Sequence, residues 1–434
     1  MKQTQSDQTD MHRLAEQYGS PLYVYQLQAV TDRVNELRNR LPEAAHIYYS
    51  LKSNPLPSIV DHIVKQGCRL EVTSENELNV ACASKLNTDL ILYGGPGKTP
   101  EEIDYALRQG VRNFSVESWV DWQRIADLAS QNKVECKALL RVNPSQALST
   151  GLAMSGTKSQ FGFEEHNLIK GWDNIQQNSN LVVQGFHIYY GSQMKDTEEV
   201  AKAITAALAS VTRICEAAHF TPTVVNLGGG FPWAYAAPQQ TTTLKDLTPL
   251  LEPALAQFPY RDTAELWFES GRYLSASSGT LVSTVLDIKH SKEDSIFVVL
   301  DSGINTLGGM SGIGRLPRGY TFTHLIGSQE SKHGGLATPQ EEGSLDGEII
   351  EGESIEATIV GPLCSPLDCL SRKQSLPNSI AIGDLISVPN VGAYGLTASL
   401  VSFLTRPPAI EVALLNESVV GVHRLRQGHD TLTN

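Results

Sequence analysis

The segment Tyr48-Tyr49-Ser50-Leu51-Lys52-Ser53-Asn54 carries an apolar run up to a single lysine, and Pro55 then breaks the strand. A strand that ends in this way places an amine at the mouth of a sheet. A partly desolvated lysine has a lowered pKa and can act as a nucleophile toward a carbonyl group. A lone lysine at a strand end is more often simply solvated. The meaning of Lys52 therefore depends on the rest of the chain.

Similar apolar runs recur along the chain, and helical patterns separate them. The eight predicted strands are 46–52, 68–74, 89–95, 113–118, 137–143, 182–190, 223–230 and 265–272. Between two of them, Thr99-Pro100-Glu101-Glu102 forms a capping box with proline at the first helical position, and Gly110 ends that helix. The repeated unit is a strand followed by a helix.

Eight such units in succession suit a closed (β/α)8 barrel of the TIM type better than an open sheet. The polar and glycine-rich residues fall at the carboxyl ends of the strands, which form the catalytic face of such barrels. These residues are Lys52, Ser74, Gly94-Gly95, Asn143, Tyr189-Tyr190-Gly191-Ser192, Gly228-Gly229-Gly230 and Glu269-Ser270-Gly271-Arg272. We predict an α/β barrel over residues 26–279.

After about Gly279 the pattern changes to strands without helices between them. These predicted strands are 280–289, 295–300, 355–360, 384–388 and 409–415. They indicate an all-β C-terminal domain, which we assign to residues 280–434 together with 1–25. The Gly-, Ser- and Glu-rich segment 327–354 is predicted to be a long loop.

The composition limits the possible partners and the compartment. A net charge of −13 argues against binding to nucleic acid or an anionic membrane, because either needs a basic surface. Residues 1–10 contain no apolar leader, and no run is long enough to cross a bilayer, so we expect a cytoplasmic protein. The cysteines show no Cys-x-x-Cys spacing, which predicts reduced thiols and no metal site. They are Cys68, Cys82, Cys136, Cys215, Cys364 and Cys369.

Two glycine-rich strand ends predict an anion site. Gly228-Gly229-Gly230 and Gly271-Arg272 let backbone N–H groups approach a phosphate, although a tight turn would also explain the triple glycine. A phosphate site and Lys52 at one barrel mouth together suggest pyridoxal 5′-phosphate, whose aldehyde condenses with lysine. Glu269, preceded by the apolar Trp267-Phe268, is the candidate carboxylate for the pyridine nitrogen of this cofactor.

At this point the chain resembles the fold-type III pyridoxal-phosphate decarboxylases, the ornithine, diaminopimelate and arginine decarboxylase family, which shares its architecture with alanine racemase. Six segments carry the resemblance in the family's order. They are Tyr49-Ser50-Leu51-Lys52-Ser53-Asn54 (Y-x-x-K-x-N), Gly185-Phe186-His187 through Gly191-Ser192-Gln193 (H-x-H-x-G-S-Q), Gly228-Gly229-Gly230-Phe231 (GGG), Glu269-Ser270-Gly271-Arg272 (E-P-G-R), Gly361-Pro362-Leu363-Cys364 (G-P-x-C) and Gly392-Ala393-Tyr394 (G-A-Y).

The resemblance implies a role for each matching residue. Lys52 would hold the cofactor and Cys364 would be the acid that reprotonates the α-carbon. The cofactor contacts would be Lys52, His187, Tyr189, Ser192, Gly228, Gly229, Gly230, Glu269, Gly271, Arg272 and Tyr394. Ser365 and Asp368 would lie at the substrate. The resemblance also implies a homodimer with shared active sites, in which the β-domain contributes to the interface and supplies Cys364 to the other subunit.

Departures from the family pattern argue against diamine substrates. Tyr189 stands where the family usually has the histidine that stacks on the cofactor, and Gln160 stands where lysine is usual. Ser365 stands where ornithine and diaminopimelate enzymes place an acid near the distal amine, and the Arg-Pro pair expected after Asp301-Ser302-Gly303-Ile304-Asn305 is absent. These features resemble the biosynthetic branch of carrier-protein-glutamate and siderophore-precursor decarboxylases. We therefore predict decarboxylation of an α-amino acid or its conjugate in secondary metabolism.

Three alternatives remain open from the sequence. The enzyme could decarboxylate a free diamino acid such as diaminopimelate, which would make its partner a small amino acid in place of a carrier-bound aminoacyl group. It could be a racemase, although racemases of this fold lack the G-P-x-C segment. It could be a non-catalytic pyridoxal-phosphate-binding protein, although proteins of that class end after the barrel.

Overall fold

A computed structural model describes residues 5–145, 152–153, 158–175, 180–236, 244–308, 320–325 and 354–428. The predicted loop 327–354 lies outside these residues except for its last residue. The helices are α1 Gln5–Tyr18, α2 Leu27–Arg40, α3 Pro57–Lys65, α4 Glu75–Ala83, α5 Pro100–Arg108, α6 Trp119–Gln131, α7 Glu165–Lys170, α8 Thr197–Ala218, α9 Thr248–Gln257 and α10 Arg272–Ser275.

The strands alternate with these helices in the first part of the chain and follow one another in the last part. They are β1 Leu22–Gln26, β2 Ala45–Ser50, β3 Arg69–Val72, β4 Ile91–Tyr93, β5 Asn113–Val116, β6 Cys136–Asn143, β7 Leu152–Ala153, β8 Phe163–Glu164, β9 Leu181–His187, β10 Gly191–Ser192, β11 Val224–Asn226, β12 Glu265–Ser270, β13 Gly279–His290, β14 Ile296–Leu300, β15 Thr323–Leu325, β16 Ser354–Val360, β17 Cys369–Pro377, β18 Leu385–Val388, β19 Ile410–Leu415 and β20 Ser418–Arg424.

The chain divides into two compact units. The barrel unit comprises Gln26–Ala234 and Gln240–Ser278, and the β unit comprises Met1–Tyr25, Tyr235–Gln239 and Gly279–Asn434. The sequence analysis places residues 235–239 in the barrel. The structure groups this segment with the β unit because the Ala236 N–H donates to Asn390 O at 3.3 Å and Ala236 O accepts from the Thr321 N–H at 2.9 Å.

Eight parallel strands close into the predicted (β/α)8 barrel. Their order is β5-β4-β3-β2-β12-β11-β9-β6, and pairing of β5 with β6 completes the ring. The first and last barrel strands, β2 and β12, are neighbours, with Glu269 opposite Tyr48 and Ser270 opposite Tyr49. This pairing brings the lysine segment and the Glu269 segment of the sequence to the same side of the barrel mouth.

An apolar layer fills the interior beneath that mouth. Its buried side chains come from alternating positions of the barrel wall, namely Tyr48, Leu92, Leu139, Val224 and Trp267. Side chains two residues apart on a strand point to the same face. The next inward-facing layer toward the carboxyl ends is therefore polar, and it contains Ser115, Arg141, Asn226 and Glu269.

The barrel strands end earlier than the apolar runs predict. β2 stops at Ser50, and residues 51–53 form one 3-10 turn that carries Lys52. The turn is stabilised because the Ser53 hydroxyl donates to Ser50 O at 2.9 Å and the Tyr49 hydroxyl donates to Asn54 O at 2.8 Å. The predicted functional residues beyond the strand ends consequently lie on loops above the barrel.

The β unit is built around the long strand β13. It pairs antiparallel with β1, β14 and β18, while β17 and β20 end the sheet order β17-β16-β14-β13-β1-β19-β20. Strands β13, β14, β16, β18 and β19 occur where the sequence predicts them. The sequence did not predict α1, β1, β15, β17 and β20. Met11 and Leu14 of α1 pack with Leu22 of β1 and Val282 of β13 in one core cluster.

Among the described residues, no helix combines the length and apolar character needed to cross a membrane. Nor do these residues include three or more His, Cys, Asp or Glu side chains grouped so that they could hold a metal ion.

A buried carboxyl group makes the stability of the β unit depend on pH. Glu411 on β19 accepts a hydrogen bond of 2.9 Å from the Tyr25 hydroxyl, and burial raises the pKa of Glu411 from 4.5 to about 7. Between these values the folded state retains a proton that the unfolded chain releases. This group therefore lowers the free energy of unfolding as pH rises, by up to about 3 kcal/mol.

We expect Glu411→Gln to remove this loss, because glutamine keeps the hydrogen-bond acceptor and does not titrate. Urea unfolding should show the variant gaining stability over the original protein between about pH 5 and about pH 8. The control is Glu356→Gln, which changes an exposed glutamate of the same unit. Identical pH slopes for all three proteins would contradict the role of Glu411.

Candidate active site

Lys52 lies at the barrel mouth on the turn that follows β2. Its side chain is 42% exposed, and its Nζ lies 3.4 Å and 3.5 Å from the two carboxylate oxygens of Glu71. Glu71 belongs to β3 and is buried. The amine is thus held on one side by an acidic group and is still reachable from solvent, as a nucleophilic lysine requires.

Glu269 is buried at the carboxyl end of β12. Its Oε1 accepts a hydrogen bond of 2.7 Å from Nδ2 of Asn226 on β11. The same oxygen lies 3.5 Å from Nε2 of His187 on β9. One oxygen of this carboxylate is therefore engaged by neighbouring strands of the barrel wall.

His187 is also enclosed by the barrel. Its Nδ1 lies 2.9 Å from the hydroxyl of Ser115 on β5. Burial, reinforced by the positive charge of Arg141, lowers the pKa of His187 to about 3. The imidazole is consequently neutral at physiological pH. The sequence predicts this residue as a cofactor contact, which stays a prediction.

Arg141 and Glu117 form a buried ion pair of 2.6 Å near the same layer. The second carboxylate oxygen of Glu117 accepts the N–H of Gly162 at 2.9 Å, and the Arg141 guanidinium lies 4.5 Å from the centre of the Phe161 ring. These contacts fix the segment that follows Gln160. At the position of Gln160 itself the family pattern would have lysine. The ion pair thereby anchors one loop of the barrel mouth.

The triple glycine forms a backbone cradle in which side chains would not fit. Gly228 has a φ of +63°, and an added Cβ would lie 2.5 Å from the Tyr189 ring. At Gly229 a Cβ would lie 1.9 Å from the carbonyl oxygen of Glu269. At Gly230, with a φ of +91°, it would lie 2.5 Å from the carbonyl oxygen of Gly191. Close packing therefore requires glycine at all three positions. Because these residues have no side chains, their backbone N–H groups are not obstructed by a Cβ.

The loop after β12 packs directly against the lysine turn. A Cβ at Gly271 would lie 2.8 Å from the Cβ of Ser53, and Arg272 begins α10 immediately afterwards. On the other side of the cradle, Ser192 belongs to the short strand β10 and pairs with Leu152. The barrel unit thus brings Gly271 to the lysine turn and the Tyr189–Gly191 loop to the glycine cradle.

These residues fit pyridoxal 5′-phosphate by the chemistry of their side chains. The cofactor needs an amine for its aldehyde, a carboxylate for its ring nitrogen and an anion cradle for its phosphate. Lys52 supplies a reachable amine, Glu269 a buried carboxylate, and residues 228–230 a cradle whose positions a Cβ would obstruct.

The other predicted site residues belong to the β unit. Cys364 carries an exposed free thiol. The loop that presents it is closed by Asp368, whose carboxylate accepts the N–H of Ile304 at 2.8 Å and the N–H of Leu363 at 2.7 Å. Burial raises the pKa of Asp368. These bonds give Asp368 a structural part in the loop, and its expected contact with substrate stays a prediction.

Ser365 and Tyr394 are half-buried residues of the same unit. The Ser365 hydroxyl accepts the N–H of Leu367 at 3.2 Å. Tyr394 has a φ of +51°, and its carbonyl oxygen accepts a hydrogen bond of 3.1 Å from the Tyr235 hydroxyl. Tyr235 therefore helps to hold the backbone of a residue that the resemblance assigns as a cofactor contact.

The sequence did not predict several polar residues of the barrel interior, among them Glu71, Arg141, Asn226 and Ser115. Glu71 and Arg141 are single charged residues within the otherwise apolar segments 70–72 and 139–142, which was the available signal for them. Asn226 lies two residues before the triple glycine and carries no motif of its own. Ser115 shows no signal that would separate it from an ordinary core serine.

The barrel unit of the chain matches a known protein family. The family described as "Pyridoxal-dependent decarboxylase, pyridoxal binding domain" matches residues 27–276. A solved structure of diaminopimelate decarboxylase from Helicobacter pylori complexed with L-lysine has a TM-score of 0.79 and 22% identity, covering 96% of this chain and 97% of that one. At this identity the structure supports the shared fold alone.

Curated relatives cover nearly the whole chain. An L-glutamyl-[BtrI acyl-carrier protein] decarboxylase of Niallia circulans is 29% identical over 96% of this chain and 94% of its own. A diaminopimelate decarboxylase of Zymomonas mobilis is 28% identical over 92% and 88%. A 2-[(L-alanin-3-ylcarbamoyl)methyl]-2-hydroxybutanedioate decarboxylase of Staphylococcus aureus is 28% identical over 89% and 92%. The three are similar to this chain to nearly the same degree.

The packing of the cradle makes a prediction about cofactor binding. Gly230→Ala should weaken binding of pyridoxal phosphate by about tenfold or more, because its Cβ would displace the Gly191 carbonyl and the cradle would shift. The matched control is Gly97→Ala, at a position where a Cβ meets nothing within 4 Å. Equilibrium dialysis of the cofactor measures both. Equal affinity of the two variants would show that the cradle plays no part in cofactor binding.

Proposed function

The chain belongs to the pyridoxal-dependent decarboxylases, and from that premise we propose that it decarboxylates an amino acid attached to a larger group. The family membership makes the protein a pyridoxal-phosphate-dependent carboxy-lyase. The larger group would be either the carrier protein of an aminoacyl unit or the acyl part of a siderophore precursor. The proposal concerns the identity of the substrate.

We assign the residues of the site as follows. Lys52 would hold the cofactor aldehyde, and Glu269 would keep the ring nitrogen protonated. The phosphate would be bound by Ser192, Gly228, Gly229, Gly230, Gly271, Arg272 and Tyr394. When bound, pyridoxal phosphate would supply the electron sink that loss of carbon dioxide requires. Cys364 would return a proton to the α-carbon of the substrate.

The substrate proposal rests on which acidic residues occur in the loop that contains Cys364, segment 361–368. A buried substrate ammonium needs a carboxylate partner. Asp368 is the acidic residue of the segment 361–368, and both of its carboxylate oxygens already accept backbone N–H groups. Ser365 offers a hydroxyl without charge. This loop therefore favours a substrate whose distal end is not an ammonium group.

The relatives support the same substrate class without deciding it. Two of them are named for an aminoacyl-carrier protein and for a carbamoyl-linked conjugate. A diaminopimelate decarboxylase is similar to nearly the same degree, and this keeps a free diamino acid as the second candidate.

A substrate panel tests the proposal. We expect glutamyl-carrier protein or a citryl-diaminopropionate conjugate to be turned over efficiently, and ornithine, lysine, arginine and meso-diaminopimelate to be poor substrates by about two to three orders of magnitude in kcat/KM. Release of carbon dioxide from carboxyl-labelled substrates measures this. A free diamino acid turned over at about 10⁴ M⁻¹s⁻¹ or more would return the enzyme to the diamine branch.

A substitution at Ser365 sharpens this test. Ser365→Asp should raise kcat/KM for free diamino acids by about 10- to 100-fold, because it adds the missing negative charge. Ser365→Asn is the matched control, since it has a similar shape without the charge. If both variants change diamino-acid turnover equally, the charge at this position does not select the substrate.

We also propose that the enzyme is a homodimer with shared active sites. Lys52 and Cys364 belong to different units of the chain, and the resemblance assigns them to one site formed by two subunits. Mixing Lys52→Ala with Cys364→Ala protein should restore activity in about a quarter of the sites, because half of the dimers are mixed and each has one intact site. Each variant alone is the control. Subunit exchange without recovered activity would refute shared sites.

A cytoplasmic location completes the proposal. All six cysteines are free thiols, as expected for a protein kept in a reducing compartment.

A further inference from the structure

We propose that Asn226 and His187 are positioning residues that hold Glu269 in the orientation in which it meets the cofactor ring nitrogen. The inference rests on the role proposed above for Glu269. It concerns Asn226, which no family motif assigns, and His187, for which the resemblance implies a contact with the cofactor and no role toward Glu269.

The orientation of the Asn226 amide is determined by its surroundings. Its Oδ1 accepts the N–H of Gly228 at 2.9 Å, and a backbone N–H can only donate. The amide nitrogen must therefore face Glu269, to whose Oε1 it donates at 2.7 Å. An amide nitrogen cannot accept a hydrogen bond, so this oxygen of Glu269 acts as the acceptor. Asn226 consequently couples the first glycine of the cradle to the carboxylate.

His187 meets the same oxygen from the other side. Its Nδ1 lies 2.9 Å from the Ser115 hydroxyl, and its Nε2 makes no hydrogen bond within the described residues but lies 3.5 Å from Glu269 Oε1. A neutral imidazole carries one proton. Since a lone pair facing a carboxylate would be repelled, we place this proton on Nε2, and the Ser115 hydroxyl donates to Nδ1.

The partners of Glu269 are neutral, in contrast to those of the nearby acids. Lys52 lies beside Glu71, and Arg141 is paired with Glu117. Neutral donors orient a carboxylate without cancelling its charge. Both face Oε1, while Oε2 makes no hydrogen bond to any described residue. Oε2 thereby remains available as the acceptor for the protonated ring nitrogen.

Cofactor labelled with ¹⁵N at the ring nitrogen provides the test, because its NMR chemical shift reports whether that nitrogen is protonated. In the full-length protein loaded with this cofactor, we expect a protonated nitrogen. Asn226→Leu should weaken cofactor binding by about 10- to 100-fold and move the shift toward the unprotonated form. No substrate is needed, so the result is independent of the substrate proposal.

The matched control is Asn113→Leu. Asn113 is a buried asparagine of β5 that donates to Asp89 O at 2.7 Å, so its loss removes a comparable hydrogen bond elsewhere in the barrel. It should lower thermal stability and leave the affinity and the ¹⁵N shift unchanged. Wild-type behaviour of Asn226→Leu in both readouts, or equal effects of the two variants, would overturn the inference.

A second pair of variants covers the case in which Asn226→Leu does not fold. His187→Leu removes the N–H that faces Glu269 and should shift the ring nitrogen toward the unprotonated form, whereas His187→Gln keeps an N–H and should restore it. No difference between these two variants would overturn the role of His187. Wild-type protein that binds no cofactor would instead overturn the proposed site itself.

Discussion

The pairing of β12 with β2 is the interaction on which the site depends. It joins the last barrel strand to the first, with Glu269 opposite Tyr48. The lysine turn and the loop after β12 then pack so closely that Gly271 has no room for a side chain beside Ser53. If β2 and β12 were not paired along this seam, the chain would still contain each motif. The Lys52 amine and the Glu269 carboxylate would then not lie at the same barrel mouth.

Toward the carboxyl ends of the strands, the barrel interior changes from an apolar layer to a polar layer. The change takes two residues along a strand. Trp267 lies beneath Glu269, and Val224 lies beneath Asn226. Buried polar groups are costly unless they find partners. The acids in and around this layer differ in the partners they have, because Glu71 and Glu117 lie beside cations and Glu269 lies among neutral donors. The same ring of strands thus supports different electrostatic environments.

Much of this architecture could be predicted from the sequence because its signals are local. The apolar runs predicted the barrel strands. The lysine and glycine residues at the ends of these runs predicted which end of the barrel forms the active-site mouth. The residues that were missed depend on partners distant in the sequence. The contact of Asn226 with Glu269 can be recognised only when β11 is known to lie beside β12. Strand β20 was missed because most of its side chains are exposed, so burial leaves no pattern in Ser418–Arg424.

The seam also has a consequence for biosynthesis of the protein. Lys52 lies on the turn that follows the first barrel strand to be translated, and Glu269 lies on the last barrel strand. While the ribosome is still producing the intervening strands, the lysine has no carboxylate across from it and the glycine cradle does not yet exist. A site that needs both residues and the cradle is therefore complete only after the whole ring has been translated.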